Sequence, residues 1–151
     1  MQSLLARDWR DLLMLIPFSG GCACGAIRYK CVTEPLYMGN CHCRHCQQAT
    51  GSAYFAAVLV RESGFSLVSG EPAWFERKAD KGHSMQRGFC TDCGSPLFLK
   101  NGMHPRTWVL YAGSLDDPSQ YKPSRNIYTE SAQPWDLMDP DLPKNAGMPD
   151  W

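Results

Sequence analysis

The sequence predicts a single, mostly-β domain with little helix, and three observations carry that expectation. The chain has 151 residues, the usual size of one domain, and at that length roughly 68–70% of the unfolded surface can be buried. Its apolar residues fall in short alternating or continuous runs rather than at sustained helical spacing. Between those runs stand turn formers: Glu62-Ser63-Gly64, Ser69-Gly70-Glu71-Pro72 and Asp80-Lys81-Gly82. The 44% apolar and 20% charged content is that of a globular chain, which excludes wholesale disorder.

Taken in order, Leu4, Leu5, Trp9, Leu12, Leu13 and Ile16 recur at helical spacing until Pro17 ends the pattern. Residues 1–17 therefore read as a short helical extension and 18–151 as the domain proper. Ala26 to Val32 alternates, with Ile27, Tyr29 and Cys31 on one face and Arg28 and Lys30 on the other. Ala53 to Val60 is a continuous apolar run, as in a strand buried on both faces. Phe65 to Val68, Ala73 to Arg77, Met85 to Phe89 and Thr107 to Ala112 complete the expected strands. The tail beyond Asp116 is rich in proline and is expected to wrap the domain in extended form, anchored by Ile127, Tyr128, Trp135 and Leu137.

Charge and hydropathy narrow the function. Fifteen basic against fifteen acidic residues give zero net charge, and so no general electrostatic reason to bind nucleic acid or an anionic membrane. The longest apolar run is far short of the roughly 18 residues that a membrane-spanning helix needs. Arg7, Asp8, Arg10 and Asp11 interrupt the place where a secretory apolar region would run. The expectation is a soluble cytoplasmic protein.

Eight cysteines stand out, seven of them in three groups: Cys22 and Cys24; Cys41, Cys43 and Cys46; Cys90 and Cys93. Neighbours one or two residues apart seldom meet disulfide geometry, whereas the same spacing lets thiolates converge on one ion. Each pair supplies half of a four-thiolate structural zinc site, so joining Cys22 and Cys24 to Cys90 and Cys93 would staple the first strand to a distant hairpin. Gly21, Gly25 and Gly94 flank these pairs where the backbone must turn tightly. The middle group offers three ligands, the pattern of a site with a vacant fourth position. His42, His45 or Cys31 could fill that position, or Cys41 or Cys46 could instead complete the other site. Zinc is the chemical preference, although tetrahedral thiolate sites accept iron as well. Three thiolates on zinc favour a soft incoming ligand, which points to thiol chemistry. Arg44 and His45 are candidate catalytic residues, the one offsetting negative charge and the other shuttling protons near an unperturbed pKa of roughly 6.5. The Thr50-Gly51-Ser52 turn is a candidate for receiving a substrate carboxylate. Cys31, on its alternating strand, reads as a core thiol, and His83 and His104 as surface residues.

These residues carry a family resemblance. Gly20-Gly21-Cys22-Ala23-Cys24-Gly25, Asn40-Cys41-His42-Cys43-Arg44-His45-Cys46, Gly51-Ser52, Gly88-Phe89-Cys90 and Cys93-Gly94-Ser95 resemble the glutathione-dependent formaldehyde-activating enzyme family, which also includes centromere protein V. The likeness runs from about Phe18 to Ala112, with a weaker echo at Trp135-Asp136 and Leu142-Pro143. It implies an Mss4-like, beta-tent zinc-stabilised fold and two zincs per chain. The structural zinc would sit at Cys22, Cys24, Cys90 and Cys93, and the second at Cys41, Cys43 and Cys46, where the sulfur of glutathione approaches. It further implies carbon–sulfur lyase activity on S-hydroxymethylglutathione. Two other readings compete: a non-catalytic zinc-stabilised binding module of the same fold, and a redox enzyme similar to methionine-R-sulfoxide reductase, which would need a reactive Cys31.

Overall fold

A computed structural model describes residues 13–150. Ten strands and one short helix follow one another: β1 (Phe18–Gly21), β2 (Arg28–Cys31), β3 (Tyr37–Cys41), α1 (Arg44–Thr50), β4 (Phe55–Arg61), β5 (Phe65–Ser69), β6 (Ala73–Lys78), β7 (Ser84–Phe89), β8 (Pro96–Asn101), β9 (Thr107–Tyr111) and β10 (Asn126–Ile127). They form a three-stranded sheet, β1-β2-β5, and a seven-stranded sheet, β10-β3-β4-β9-β8-β7-β6. Every pairing is antiparallel except β10 on β3. The expected mostly-β class is thus observed, and no helix among the described residues is long and apolar enough to cross a membrane.

Period-two alternation gives the larger sheet two different faces. Val58 and Val60 of β4, Phe98 of β8 and Leu110 of β9 pack with Ile27, Tyr29 and Cys31 to form the main core between the sheets. The opposite face carries Phe55, Ala57, Leu99 and Tyr111, packed around Cys46 with Cys41 and Cys43 at its margin. Strand β4 therefore serves both layers, which accounts for its unbroken apolar run.

Aromatic rings lock the inner layer. Phe65 stacks on Trp108 at 4.3 Å, and Phe98 meets Trp108 edge-on at 5.4 Å and Tyr29 edge-on at 5.5 Å. The buried Tyr29 hydroxyl is satisfied by Ser114 Oγ at 2.7 Å. Gly88 makes room for this cluster, since a Cβ there would lie about 3.0 Å from the Trp74 ring and 3.2 Å from Phe98.

Four strands and the helix lie outside the sequence expectation. β3 reads as polar and glycine-containing, but it is held on both sides, by β4 and β10. β8 contains a three-residue apolar core, Leu97-Phe98-Leu99, all buried. β1 and β10 are too short for any periodicity to register. In the tail, Ile127 is buried as expected, but Trp135 is 65% and Leu137 94% exposed, so those two do not anchor it. The expected N-terminal helix falls largely outside the described residues; its last part, 13–17, is non-helical, with Met14 buried and Leu15 exposed.

Phe98→Ala should destabilise the protein by about 3–5 kcal/mol, the usual cost of truncating a core aromatic. Phe75→Ala, on a side chain 61% exposed, should change stability by no more than about 0.5 kcal/mol. Urea unfolding of the two variants measures both.

Candidate metal centres and the adjoining cleft

All eight cysteines are free thiols, and seven of them converge into two groups. The Sγ atoms of Cys22, Cys24, Cys90 and Cys93 lie within 4.8 Å of one another, as do those of Cys41, Cys43 and Cys46. The four-and-three division expected from spacing is the one observed.

The four-thiol group joins the sheets. Cys22 and Cys24 occupy the turn leaving β1, and Cys90 and Cys93 the turn between β7 and β8. Gly25 and Gly94, at φ 80 and 74, supply the left-handed backbone these knuckles need. In the second knuckle the Gly94 N–H donates to Cys90 O at 2.8 Å and the Cys90 N–H to Ser95 O at 3.0 Å. The Ile27 N–H donates to Cys22 Sγ at 3.2 Å. A hydrogen bond from Ser95 Oγ, 3.2 Å away, holds the Cys93 thiol down at about 6. The Cys22–Cys24 and Cys24–Cys90 sulfur separations are 3.5 and 3.8 Å. Tetrahedral arms of about 2.3 Å require edges of about 3.8 Å. The donor set and its spacing fit a closed zinc site.

The three-thiol group forms where β3 runs into α1. Cys43 is the N-cap of that helix and its Sγ accepts the Cys46 N–H at 3.3 Å, the N-cap-to-N3 bond that usually takes an oxygen. A Cys-x-x-Cys segment at a helix start thus brings its two sulfurs together through local geometry alone. Cys41 enters from the strand end, in register with Phe55. Hydrogen bonds from the Cys41 and Cys46 thiols hold Cys43 down to about 2, and donating to Cys43 pushes Cys41 far up. Cys46 is drawn down by Cys41, but Cys43 and burial outweigh this and push it to about 11. Three thiols sharing hydrogen bonds are the soft donor set a soft cation seeks. Among the described residues no further His, Cys, Asp or Glu donor joins these three within 4.8 Å.

A cleft of about 350 Å³ adjoins this cluster, lined by His45, Phe75, Arg77, Arg87, Phe89 and Tyr111 among others. Arg87 connects the two: Nη2 donates to Cys46 Sγ at 3.6 Å and Nη1 to Tyr111 Oη at 2.9 Å. On the far wall Arg77 donates to His45 Nδ1, so a neutral His45 ring carries its proton on Nε2, the nitrogen 3.9 Å from Asp80. Among the described residues no Asp or Glu lines the cleft, and Arg77 and Arg87 give its walls positive charge.

The remaining candidates fall as follows. His45 is in the cleft; Arg44 turns away and donates to Gln47 Oε1 at 2.6 Å. His42 is fully buried, with Nε2 2.9 Å from Asn126 Oδ1 and Nδ1 3.1 Å from Asp136 Oδ2; it is neither a surface group nor a member of the cluster. In the Thr50-Gly51-Ser52 turn, the Gly51 N–H goes to Gln47 O at 2.8 Å and the Ser52 N–H to Thr50 Oγ1 at 3.2 Å. Those donors close the helix end. Cys31 is a core thiol that burial pushes up to about 12, unsuited to a redox nucleophile. His104 is exposed and His83 half-buried. Arg77, Arg87 and Tyr111 were not candidates from sequence; alternation along β6 puts Arg77 on the face of Phe75, but it is strand pairing that sets Arg87 against Phe75 and Tyr111 against Ala57. Tyr128 also went unread as a site neighbour. It is the one non-glycine residue at positive φ among those described, and after burial the three clustered sulfurs are what raise its phenol pKa.

Two β-sheets carrying a four-thiol and a three-thiol cluster, each able to coordinate a metal ion, define a cysteine-chelating β domain. The sequence profile of the glutathione-dependent formaldehyde-activating enzymes matches residues 17–131, and the chain belongs to that family, the one shared with centromere protein V. It is 26% identical over 121 residues to a Halomonas elongata protein named, provisionally, as a glutathione-dependent formaldehyde-activating enzyme, covering 77% of each chain. In fold it is similar to a crystallographically solved Rhodobacter sphaeroides protein, with a TM-score of 0.52 at 20% identity over 83% of this chain and 98% of that one.

The two clusters should respond differently to loss of a ligand. Cys90→Ser opens the junction between the sheets and is expected to abolish soluble folding, since structural zinc contributes on the order of 10 kcal/mol or more. Cys46→Ser should remove one metal equivalent and leave the fold intact. Elemental analysis with circular dichroism checks both, and equal loss of structure would contradict the division.

Proposed function

We propose that the chain is a zinc-dependent carbon–sulfur lyase acting on a small thiol adduct of the S-hydroxymethylglutathione kind. The observation that carries this reading is the three-thiol cluster, linked through Arg87 to a cleft that holds two arginines, with no fourth protein donor among the described residues. Cys22, Cys24, Cys90 and Cys93 would hold a structural zinc, and Cys41, Cys43 and Cys46 a second one. Bound at the second site, zinc supplies a soft Lewis-acid position that favours the thiolate form of an incoming thiol.

The chain's own residues supply the rest. Arg77 and Arg87 stand where a substrate carboxylate can pair with a guanidinium. Phe75, Phe89 and Tyr111 wall the cleft and limit water around the reacting carbon. In the lytic direction the adduct's C–S bond breaks, its hydroxyl loses a proton and becomes the aldehyde carbonyl, and the sulfur leaves with the bonding pair. His45, on the cleft wall, can take that proton only at Nδ1, once Arg77 gives up its bond there to pair with the substrate. Eight free thiols suit a reducing cytoplasmic setting, and a tripeptide thiol such as glutathione is the expected partner.

Cobalt substitution tests the reading. Titration with glutathione should shift the visible spectrum of the second site, and Cys46→Ser should remove the response. A spectrum unchanged at millimolar thiol would instead favour a non-catalytic zinc-stabilised binding module. Arg77→Gln should weaken glutathione by about ten-fold relative to 2-mercaptoethanol, the scale of one charge-assisted hydrogen bond. Parallel titrations of the two thiols measure that ratio.

A further inference from the structure

We propose that the tail from Asn126 to Asp136 is a strap that positions the three-cysteine site, with Asp136 acting through His42. The inference rests on the reading of Cys41, Cys43 and Cys46 as a metal site.

His42 lies between two members of the cluster, and its backbone N–H, its carbonyl and its Nε2 are each taken up by the tail or by a residue the tail holds. Its backbone N–H donates to Ile127 O at 2.9 Å. Its carbonyl accepts from Gln47 Nε2 at 2.7 Å, and the same amide donates to Ser131 O at 2.8 Å. Gln47 Oε1 in turn accepts from Gln133 Nε2 at 3.2 Å. The imidazole has Asn126 Oδ1 at 2.9 Å on one nitrogen and Asp136 Oδ2 at 3.1 Å on the other, the latter an ion-pair distance without hydrogen-bond alignment. Asn126 is itself fixed, since Asn40 Nδ2 donates to its Oδ1 at 3.1 Å and Tyr121 Oη donates to Asn40 Oδ1 at 2.7 Å.

The side chains of His42 and Asp136 are 0% and 7% exposed. A carboxylate is rarely withdrawn this far from water without a partner. This one meets the residue whose two peptide bonds set the directions of Cys41 and Cys43. With the His42 ring hydrogen-bonded at Nε2, Asp136 at ion-pair distance from Nδ1 and the backbone held at both ends, neither peptide rotates freely, and the two sulfurs stay convergent. Outer partners of this kind are typically worth 10–100-fold in metal affinity. Asp136 and Gln133 are positioning residues, since neither belongs to the sulfur cluster.

The test compares the two metal equivalents within one protein. Full-length wild type, Asp136→Asn and Leu137→Ala are loaded with cobalt and titrated with a competing chelator, with melting followed in parallel. Asp136→Asn should weaken the second equivalent at least ten-fold while the first stays within about two-fold, and Leu137→Ala, 94% exposed, should leave both unchanged. Should Asp136→Asn fail to fold, Gln133→Ala reads out the same strap through Gln47 and should weaken the second equivalent alone. Wild-type affinity for both equivalents in a folded variant would overturn the proposal. So would a parallel fall of both with the melting temperature, which marks a merely structural role. Uptake of only one equivalent by wild type would overturn the metal reading itself, an outcome distinct from the strap failing on a site that does bind.

Discussion

The junction of four thiols between the turn after β1 and the turn between β7 and β8 is the constraint on which the architecture depends. The smaller sheet has only three short strands and shares one isolated bridge with the other half of the chain, Gly20 to Leu115. Its main attachment otherwise is the aromatic layer around Tyr29, Phe98 and Trp108. Burial of rings is non-directional and holds two sheets together without specifying how they are aligned. Sulfur atoms drawn to one metal ion would specify it, because their spacing tolerates little error. The core thus supplies cohesion, and a metal at the cysteine junction would supply orientation.

That orientation matters to the second cluster, which lies on the outer face of the larger sheet. The β7 residues that reach it, Arg87 above all, belong to the strand that ends in Cys90. The four-thiol junction and the cleft are therefore consecutive stretches of one strand, and anything that loosens the β7–β8 turn moves Arg87 relative to Cys46. The tail approaches the same cluster from the other side. The cluster forms where β3 leaves the sheet for α1, and the chain from Asn126 to Asp136 packs against that departure.

Much of this was legible in the amino-acid order. The cysteine pairs and the triad are local signals: Cys-x-Cys and Cys-x-x-Cys bring sulfurs together over a few residues, and only the joining of Cys22 and Cys24 to Cys90 and Cys93 depends on the rest of the chain. The alternation of Ile27, Tyr29 and Cys31 correctly placed a face in the core, because a half-buried strand must alternate. What the sequence concealed is non-local. Arg77 and Arg87 look like ordinary exposed charges on polar strands until pairing sets Phe75 against Arg87 and Arg87 against Leu99. His42 offered itself only as a possible fourth ligand because its partners, Asn126 and Asp136, lie more than eighty residues away. Trp135 and Leu137 misled in the opposite sense: their hydrophobicity suggested anchorage, yet the buried group of that segment is the acidic residue between them.

The two-faced larger sheet has a bearing on how the chain can change over evolution. Along β7 the residue facing the cleft, Arg87, and the residue admitting the Trp74 ring, Gly88, are adjacent. Insertion or deletion of a single codon within this strand would exchange their sides, driving a guanidinium among stacked rings and leaving the sulfur cluster without its cation. A change of length is therefore far better placed in the loop between β6 and β7 than within either strand.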